Sequence, residues 1–469
     1  MKIFDRINTL SVVGLLFSVF AAESQAVSSP VTYDFKTCVE TALSQNPEMD
    51  VSQYRLEQAQ YALKEANASR LPQVTASMTA SQSNSALNVF GMKLNQRQAS
   101  FADFGFNPTA SSEFMSGNYN YEPKDLNTPG SHTDLNTRLE ILIPVWNGGK
   151  ISGYQSQAEA MIQAAKKGEQ AVQQFLTFNV YQAYEGVHTA RAFVAVAEQA
   201  VKAAQAYVDT TANLVEQGVV VRSELLSANV HLSQAKTSFE QAKMQEQLAL
   251  DSLKMLMSTP GNQSIMVGDR MSVTLPKASL ETLLTMGMQT NPQLNAKREE
   301  ARSSQAEMDV VKADQRPSFN IMARGDFNDS GLGFDSQSYT VAGVLSWKMT
   351  DFGLTHNRLN RASAATAEKK AAVRSQENQV RHAILKAWRT LQVVEKQVYS
   401  HQLAVEQAEE AQRLILKRYK GGIATMTEVL ASQAQLDKAR AELVQSLYEQ
   451  NIQKAKLRLE TGTMRLDQL

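Results

Sequence analysis

Residues 354–420 read LTHNRLNRASAATAEKKAAVRSQENQVRHAILKAWRTLQVVEKQVYSHQLAVEQAEEAQRLILKRYK, a stretch with no proline and no glycine. It follows residues 351–353 (DFG) and ends at Gly421-Gly422, so the residues that interrupt helices occur only at its two ends. At 1.5 Å per residue, one helix over this stretch would be roughly 100 Å long, whereas globular helices average about 11–12 residues. Such a rod cannot bury its own surface, so the sequence predicts that it packs along other long helices.

The same plan occurs twice in the chain. Asn46-Pro47 is matched by Asn291-Pro292 at an offset of 245, and Gly149 is matched by Gly353 at an offset of 204. The second offset then holds without a gap to the end of both halves. Each half therefore reads helix, strand, loop, strand, long helix, glycine turn and returning helix. The halves differ by 41 residues, all between Pro72 and Gly149.

These offsets predict one elongated body made of two repeats that are joined by a linker over 258–278. The first repeat spans 27–257, with a helical segment over 34–70 interrupted at Asn-Pro, strands over 73–83 and 137–147, a long helix over 150–217 and a returning helix over 223–257. The second repeat spans 279–469, with a helical segment over 279–315, strands over 318–327 and 338–348, the long helix over 354–420 and a returning helix over 425–461. Residues 81–137 are expected to form an extended polar loop.

Four segments alternate apolar and polar residues with period two, which predicts strands with one apolar and one polar face. Their length and the aromatic residues near their ends, Trp146, Tyr339 and Trp347, are typical of membrane β-strands. Four strands cannot close a barrel, and open sheet edges are not tolerated in lipid. Three chains would supply twelve strands and two would supply eight. A soluble four-stranded sheet between the helices is the alternative.

The N-terminus has the features of a secretory signal peptide over residues 1–26. Lys2 and Arg6 precede an apolar core over residues 10–20, and small residues at 24 and 26 suit cleavage after Ala26. Val27 would then be the first residue, which argues against a lipid anchor. No later apolar run is long enough for a spanning helix, so any membrane insertion would be by strands.

Composition and motifs argue against an enzyme. The chain has 47 Lys and Arg against 47 Asp and Glu, which gives no indication of a nucleic-acid partner. The six histidines show no i, i+4 pair and no nearby cysteine cluster, because Cys38 is the only cysteine. No phosphate-binding loop, GxSxG or GxGxxG motif is present. We therefore expect no catalytic residue, no cofactor and no metal site.

The glycine turns that follow the long helices carry the candidate functional residues. Glu224 and Glu428 lie in the first turn of the two returning helices, where the helix dipole favours acidic residues, and this alone would explain both. In a trimer they would instead place six carboxylates around the narrow end of a tube, an arrangement suited to gating or to cation preference. The sequence leaves both interpretations open.

The chain resembles the TolC-type outer-membrane efflux proteins, also called outer membrane factors, over residues 34–466. The motifs that carry the resemblance are ALSQNP at 42–47 with its echo TNP at 290–292, LP at 71–72, RP at 316–317, IPVWNGG at 143–149, DFG at 351–353, RYKGG at 418–422, TEVL at 427–430 and LETGTM at 459–464. Each motif is weak alone, but together they occur in order and in duplicate.

This resemblance implies a mainly α fold with a small β portion. Three chains would share a transmembrane β-barrel, with four strands from each chain, and a long periplasmic α-helical barrel in the outer membrane of a Gram-negative bacterium. The duct would give passive exit to substrates of a tripartite efflux pump or type I secretion system. Its partners would be a periplasmic adaptor (membrane fusion protein), an inner-membrane RND or ABC transporter and outer-membrane lipid. Alternatives are a dedicated type I protein-secretion duct and an exported coiled-coil structural or surface protein without a pore.

The resemblance also assigns roles to residues of this chain. The periplasmic gate would use Tyr419 and Glu428, with Glu224 as the matching carboxylate of the first repeat; the adaptor would dock at Gly218, Val219, Val220, Gly421, Gly422 and Ile423; the elbows between barrel and tunnel would be Pro72, Pro317, Gly149 and Gly353. The chain departs from the family pattern at Ala424, where an arginine would lock the gate, and at Ala431, where a second acidic ring would lie. A looser closure is therefore expected.

Overall fold

The computed structural model describes residues 31–260, 263, 265–275 and 278–468. The predicted signal peptide over residues 1–26 lies outside the described residues. The elements of the first half, in order, are β1 (Val31–Tyr33), α1 (Phe35–Gln45), α2 (Pro47–Ala68), β2 (Gln73–Ser83), α3 (Ala86–Asn95), a 3-10 turn (Phe101–Phe104), α4 (Pro108–Met115), α5 (Lys124–Asn127), β3 (His132–Trp146), α6 (Lys150–Glu216) and α7 (Arg222–Leu256). Those of the second half are β4 (Ile265–Val267), α8 (Leu280–Thr290), α9 (Pro292–Ala313), β5 (Ser318–Asp329), β6 (Gln337–Ser346), α10 (Leu354–Lys420), α11 (Met426–Glu460) and a 3-10 turn (Leu466–Gln468).

The Asn-Pro pairs divide the first helical segment of each half into two helices. The Asn46 side chain accepts a 2.9 Å hydrogen bond from the Glu48 amide, and the Asn291 side chain accepts a 3.0 Å bond from the Leu294 amide. Proline follows as the first helical residue, where its missing N–H costs nothing and its fixed φ suits the helix. α2 and α9 therefore start new helices rather than continue α1 and α8.

Two regions that we expected to be irregular contain regular structure. The predicted loop over 81–137 holds α3, α4 and α5, and β3 begins at His132, earlier than predicted. The Asn107 side chain caps α4 by accepting a bond from the Ala110 amide, a local signal in the sequence that favours this helix start. The linker over 258–278 contains β4, which pairs in parallel with β1. A strand this short forms only with its distant partner, so periodicity could not reveal it.

One four-stranded antiparallel sheet has the order β2-β3-β5-β6. Its register aligns Val74 with Ile141, Ile141 with Ala323, and Ala323 with Val341, so the apolar residues of all four strands share one face. We call this the apolar face. The opposite, polar face carries the aligned rows Thr75, Glu140, Arg324, Thr340 and Ser77, Arg138, Asp326, Ser338.

The four longest elements of the molecule are helices. α6 and α10 each contain 67 residues, and α7 and α11 return along them over 35 residues each. One buried apolar cluster lies where α1, α6, α7 and the β1–β4 pair meet, and it includes Phe35, Tyr181, Tyr184 and Leu253. Among the described residues, no helix is both long enough and apolar enough to span a membrane.

The segment between the repeats is bound tightly to α6. The Tyr184 hydroxyl donates a 2.8 Å bond to the Asp269 carbonyl, and the Arg270 guanidinium lies 2.7 Å from the carboxylate of Glu185, whose side chain is fully buried. Asn451 of α11 donates to the same carboxylate oxygen at 3.2 Å. A buried carboxylate needs such partners because desolvation disfavours its charge. The duplicated halves are thus joined at the middle of the long helices.

Candidate functional site

The two turns that follow the long helices lie against each other. Gly218 and Gly422 have φ of +71° and +70°, a left-handed conformation that glycine adopts without strain. Each turn is closed by a bond from the next amide back into the helix, from Val219 to the Leu214 carbonyl and from Ile423 to the Arg418 carbonyl, both at 2.9 Å. A Cβ at Gly422 would lie 3.5 Å from Val219. The structure therefore brings the predicted docking turns together.

These turns leave apolar side chains in solvent. Val219 is 50% exposed and Ile423 is 73% exposed, whereas Val220 packs partly into the cluster below. Gly421 forms the end of α10, where its amide bonds to the Lys417 and Arg418 carbonyls. The end of the paired turns therefore presents two exposed apolar side chains.

Behind the turns, Tyr419 is completely buried and links the two halves. Its hydroxyl donates a 3.2 Å hydrogen bond to Glu224 Oε2 at the start of α7, and lies 3.0 Å from the Thr211 hydroxyl of α6. Burial is the main cause that raises the pKa of Tyr419, and the neighbouring Glu224 carboxylate acts in the same direction. The tyrosine is therefore a neutral hydrogen-bond donor, and Tyr207, Ala228, Met426 and Val429 surround it.

Glu428, which the resemblance also assigns to the gate, is not hydrogen-bonded to Tyr419 in the described chain. Its side chain is exposed in the first turn of α11, where the Glu428 amide donates to the Thr425 hydroxyl. Within the described chain Tyr419 contacts Glu224 instead, a residue 195 positions away in sequence. Ala424 packs partly into the apolar cluster at the tip, and Ala431 is exposed. The tip of one chain is thus held by a tyrosine–carboxylate bond between its two halves.

A second polar layer, which the sequence did not suggest, lies further along the helices. The Tyr207 hydroxyl of α6 donates a 2.5 Å bond to Gln433 of α11 and accepts a short bond from Gln412 of α10. Gln433 in turn donates to Asp437 at 2.9 Å. Desolvation is the largest effect on Asp437 and raises its pKa. Buried polar contacts of this kind fix the register between helices because any shift leaves a polar group unpaired.

The elbows connect the sheet to the long helices. Gly149 and Gly353 precede α6 and α10 with φ of +93° and +96°, and Pro72 and Pro317 directly precede β2 and β5. Gly148 is the most constrained residue here, because a Cβ would lie 2.8 Å from the Ala313 carbonyl oxygen and 2.8 Å from the Arg316 Cβ. The Arg316 guanidinium donates a 2.9 Å bond to the Gly148 carbonyl, which ties this elbow to the end of α9.

The sheet ends on both sides in a long unpaired strand. β2 and β6 contain 11 and 10 residues, and within the described chain each pairs on one side only. Both are exposed along nearly their whole length. Unpaired backbone groups in a long strand are a template for pairing with another chain.

Comparison with known proteins identifies the family. The family model for the outer membrane efflux protein matches residues 38–259 and 283–463, so the chain belongs to that family. It is located in the outer membrane and extends into the periplasm, and it is a member of a family of efflux channels, not an enzyme. No curated protein sequence matches the chain significantly.

Solved structures share the fold. The outer-membrane channel OprN is 18% identical, with a TM-score of 0.75, covering 92% of this chain and 90% of its own. VceC from Vibrio cholerae is 17% identical, with a TM-score of 0.73 and coverage of 91% and 96%. The Campylobacter jejuni channel CmeC is 16% identical, with a TM-score of 0.72 and coverage of 97% and 94%. At this identity the match establishes the mainly helical fold with its small sheet.

Proposed function

We propose that this chain forms a homotrimeric duct that gives passive exit to the substrates of a tripartite efflux pump or type I secretion system. The observation that carries the proposal is the pair of unpaired edge strands β2 and β6 on a sheet with one apolar face. Three copies joined edge to edge would supply twelve strands and leave no edge in lipid. The apolar face would then contact lipid and the polar face would line the channel.

The helices support assembly by the same operation. On α7, five large apolar side chains recur at helical spacing and are each more than half exposed in the single chain: Leu226, Val230, Met244, Leu248 and Met255. Such a stripe is typical of a helix that packs against a neighbour along its length. Together α6, α7, α10 and α11 of three chains would form a tunnel, with the elbows at Gly149 and Gly353 turning each chain from barrel to tunnel.

The tip is proposed to be the gate. Tyr419 and Glu224 hold the two halves together, and Glu428 adds an exposed carboxylate near the same end. A periplasmic adaptor would bind the paired turns at Gly218–Val220 and Gly421–Ile423, compete with this closure, and connect the duct to an RND or ABC transporter in the inner membrane. The energy for transport would come from that inner-membrane transporter and not from this chain.

Loss of the gene tests which cargo the duct serves. Increased susceptibility to several unrelated drugs, restored by the wild-type gene, supports the efflux assignment. Unchanged susceptibility with loss of one secreted protein would replace it with the protein-secretion alternative. Unchanged susceptibility and an unchanged set of secreted proteins would contradict both.

Lipid exposure of the sheet tests whether the chain is a membrane duct or a pore-free structural protein. Ile141 lies on the apolar face and Glu140, its neighbour, on the polar face, so Ile141→Cys and Glu140→Cys form a matched pair. The native thiol of Cys38 is buried, so the fluorophore should attach only to the introduced cysteine while the protein is folded. A fluorophore at position 141 should be quenched by lipid-soluble nitroxide, and one at 140 should not. Equal quenching at both positions would contradict membrane insertion.

A further inference from the structure

The 41 extra residues of the first half lie in the segment between β2 and β3, which we call the β2–β3 segment (residues 84–131). It joins the ends of the strands opposite the elbows. In the proposed duct this is the outer mouth of the channel, because the elbows lead into the periplasmic tunnel. The following inference therefore rests on the proposed function.

Polar residues of the sheet are buried where this segment begins to cover them. On the polar face of the central strands, Asp134 is 8% exposed, Asp326 is 7% exposed and Asn328 is 5% exposed, and Ser336, which directly precedes β6, is 5% exposed. Asn136 pairs with Asn328 in the register, so the even-numbered β3 residues, including Asp134, lie on the polar face. Arg138 and Arg324 cover Asp326 through ion pairs, whereas Asp134 is bonded to a residue of the β2–β3 segment, so the segment folds over this end of the polar face.

Gln96, at the end of α3, holds the segment in that place. Its side-chain amide donates 2.9 Å bonds to Asp134 Oδ1 and to the Thr133 carbonyl, and its side-chain oxygen lies 2.8 Å from His132 Nε2. The Gln96 carbonyl accepts a 2.7 Å bond from the Ser336 hydroxyl. Gln96 is only 2% exposed. A glutamine with its amide nitrogen, amide oxygen and carbonyl all bonded is strongly fixed in orientation.

These bonds span the sheet. Asp134 belongs to β3, whereas Ser336 directly precedes β6, and the neighbouring Arg97 donates a 2.7 Å bond to the Gln337 carbonyl. The C-terminal end of α3 is therefore fixed over the end of the sheet opposite the elbows, where it bridges β3 and the start of β6. Val89 in α3 is completely buried. Large exposed side chains such as Phe101, Phe106 and Met115 add to the volume that the segment occupies.

We infer that the β2–β3 segment is a specificity-determining part of the duct: folded over the polar face, three copies narrow the outer mouth and set the upper size of molecules that pass. Gln96 is the positioning residue that keeps α3 over the channel. The gate at the tip controls whether the duct is open, and this second constriction controls what size can leave.

Polymer exclusion from the two sides separates the constrictions. Single channels are recorded in planar bilayers while polyethylene glycols of increasing mass are added to one side only, because a polymer that enters the mouth lowers the conductance. Gln96→Ala removes the anchor, and Gln98→Ala, an exposed glutamine two residues away, is the matched control. We expect the cut-off from the outer side to shift to larger polymers by at least one step of the series in Gln96→Ala and to stay unchanged in Gln98→Ala. The cut-off from the tip side should be the same in all three proteins.

A second variant guards against misfolding. Replacing residues 86–129 with Asn-Gly, a two-residue sequence that favours tight hairpins, should shift the outer cut-off further than Gln96→Ala. Equal outer cut-offs in wild type and both variants would overturn the inference while leaving the duct intact. Failure of both variants to assemble would assign the segment to assembly and would also overturn it. Absence of channels in the wild-type protein would refute the proposed function and, with it, this inference.

Discussion

Replacing Tyr419 with phenylalanine should loosen closure of the tip. The change removes one hydroxyl from a completely buried ring and leaves the apolar contacts of that ring in place. The lost bond to Glu224 is 3.2 Å long, longer than the common 2.7–2.8 Å for O–H···O bonds, so we assign it the lower end of the range for bonds to charged groups, about 1.5 kcal/mol. Thr211 keeps its 2.7 Å bond to the Tyr207 carbonyl, so its hydroxyl is not left unpaired.

This energy predicts a measurable change in gating. A loss of about 1.5 kcal/mol per chain raises the ratio of open to closed tips about 10-fold if the chains act separately, and about 1,000-fold if three chains open together. Open probability in planar bilayers measures the ratio directly, and increased entry of bulky antibiotics into cells is the physiological counterpart. Glu224→Gln should act in the same direction but less strongly, because a neutral acceptor makes a weaker bond than a carboxylate.

The matched control lies on the same helix. Tyr399 is 72% exposed, so Tyr399→Phe deletes the same atom without breaking a buried bond. We expect Tyr399→Phe to behave as wild type, and Glu428→Gln to have a smaller effect than Glu224→Gln. A gate in which Glu428 is the main partner of Tyr419 would give the opposite order for the two glutamates. Identical open probability and drug susceptibility in Tyr419→Phe and Tyr399→Phe would refute the assignment of Tyr419 to the gate.

Three further predictions concern stability. Gly148→Ala should destabilise the fold by at least about 1–2 kcal/mol, the cost of a left-handed conformation for alanine. Gly168 lies in open space within α6, so Gly168→Ala should instead stabilise the fold by up to about 1 kcal/mol. The two variants should shift the melting temperature in opposite directions, and equal shifts would contradict this prediction. Arg270→Ala should destabilise the fold by about 3–5 kcal/mol because the Glu185 carboxylate then stays buried without its ion pair. Adding Glu185→Gln should recover part of the lost stability, as measured by thermal unfolding. No recovery would show that the unpaired charge is not the cause. Burial raises the pKa of Asp437, so the folded state favours the neutral acid, and the ionised carboxylate lowers stability above that pKa. Asp437→Asn should therefore raise the melting temperature at neutral pH, and this increase should disappear as the pH falls through the pKa. A difference in melting temperature that does not depend on pH would contradict this prediction.

Much of the architecture could be predicted because its signals are local. The absence of Gly and Pro over 354–420 predicts a helix, and α10 occupies Leu354–Lys420. Alternation predicts strands with distinct faces, and the register places Val74, Ile141 and Val341 on one side. These features depend on neighbouring residues and on period, which the sequence contains directly.

The details of the tip could not be predicted from local signals. The partner of Tyr419 depends on how α7 and α10 pack, and the symmetry between repeats gave no reason to prefer Glu224 over Glu428. Thr211 and Gln433 were missed because threonine and glutamine on a helix face are usually solvated. The position of α3 over the polar face likewise depends on Gln96 meeting Asp134 across 38 residues, and nothing in the polar loop composition indicates it.

The mass of the purified protein in mild detergent tests whether three chains complete one barrel. Light scattering coupled to size exclusion, corrected for bound detergent, gives the number of chains. We predict three chains per particle, because only then do the edges of β2 and β6 pair to give a twelve-stranded barrel. A stable monomer that stays in solution when the detergent is removed would contradict it, because its sheet would then have two open edges and no need of lipid.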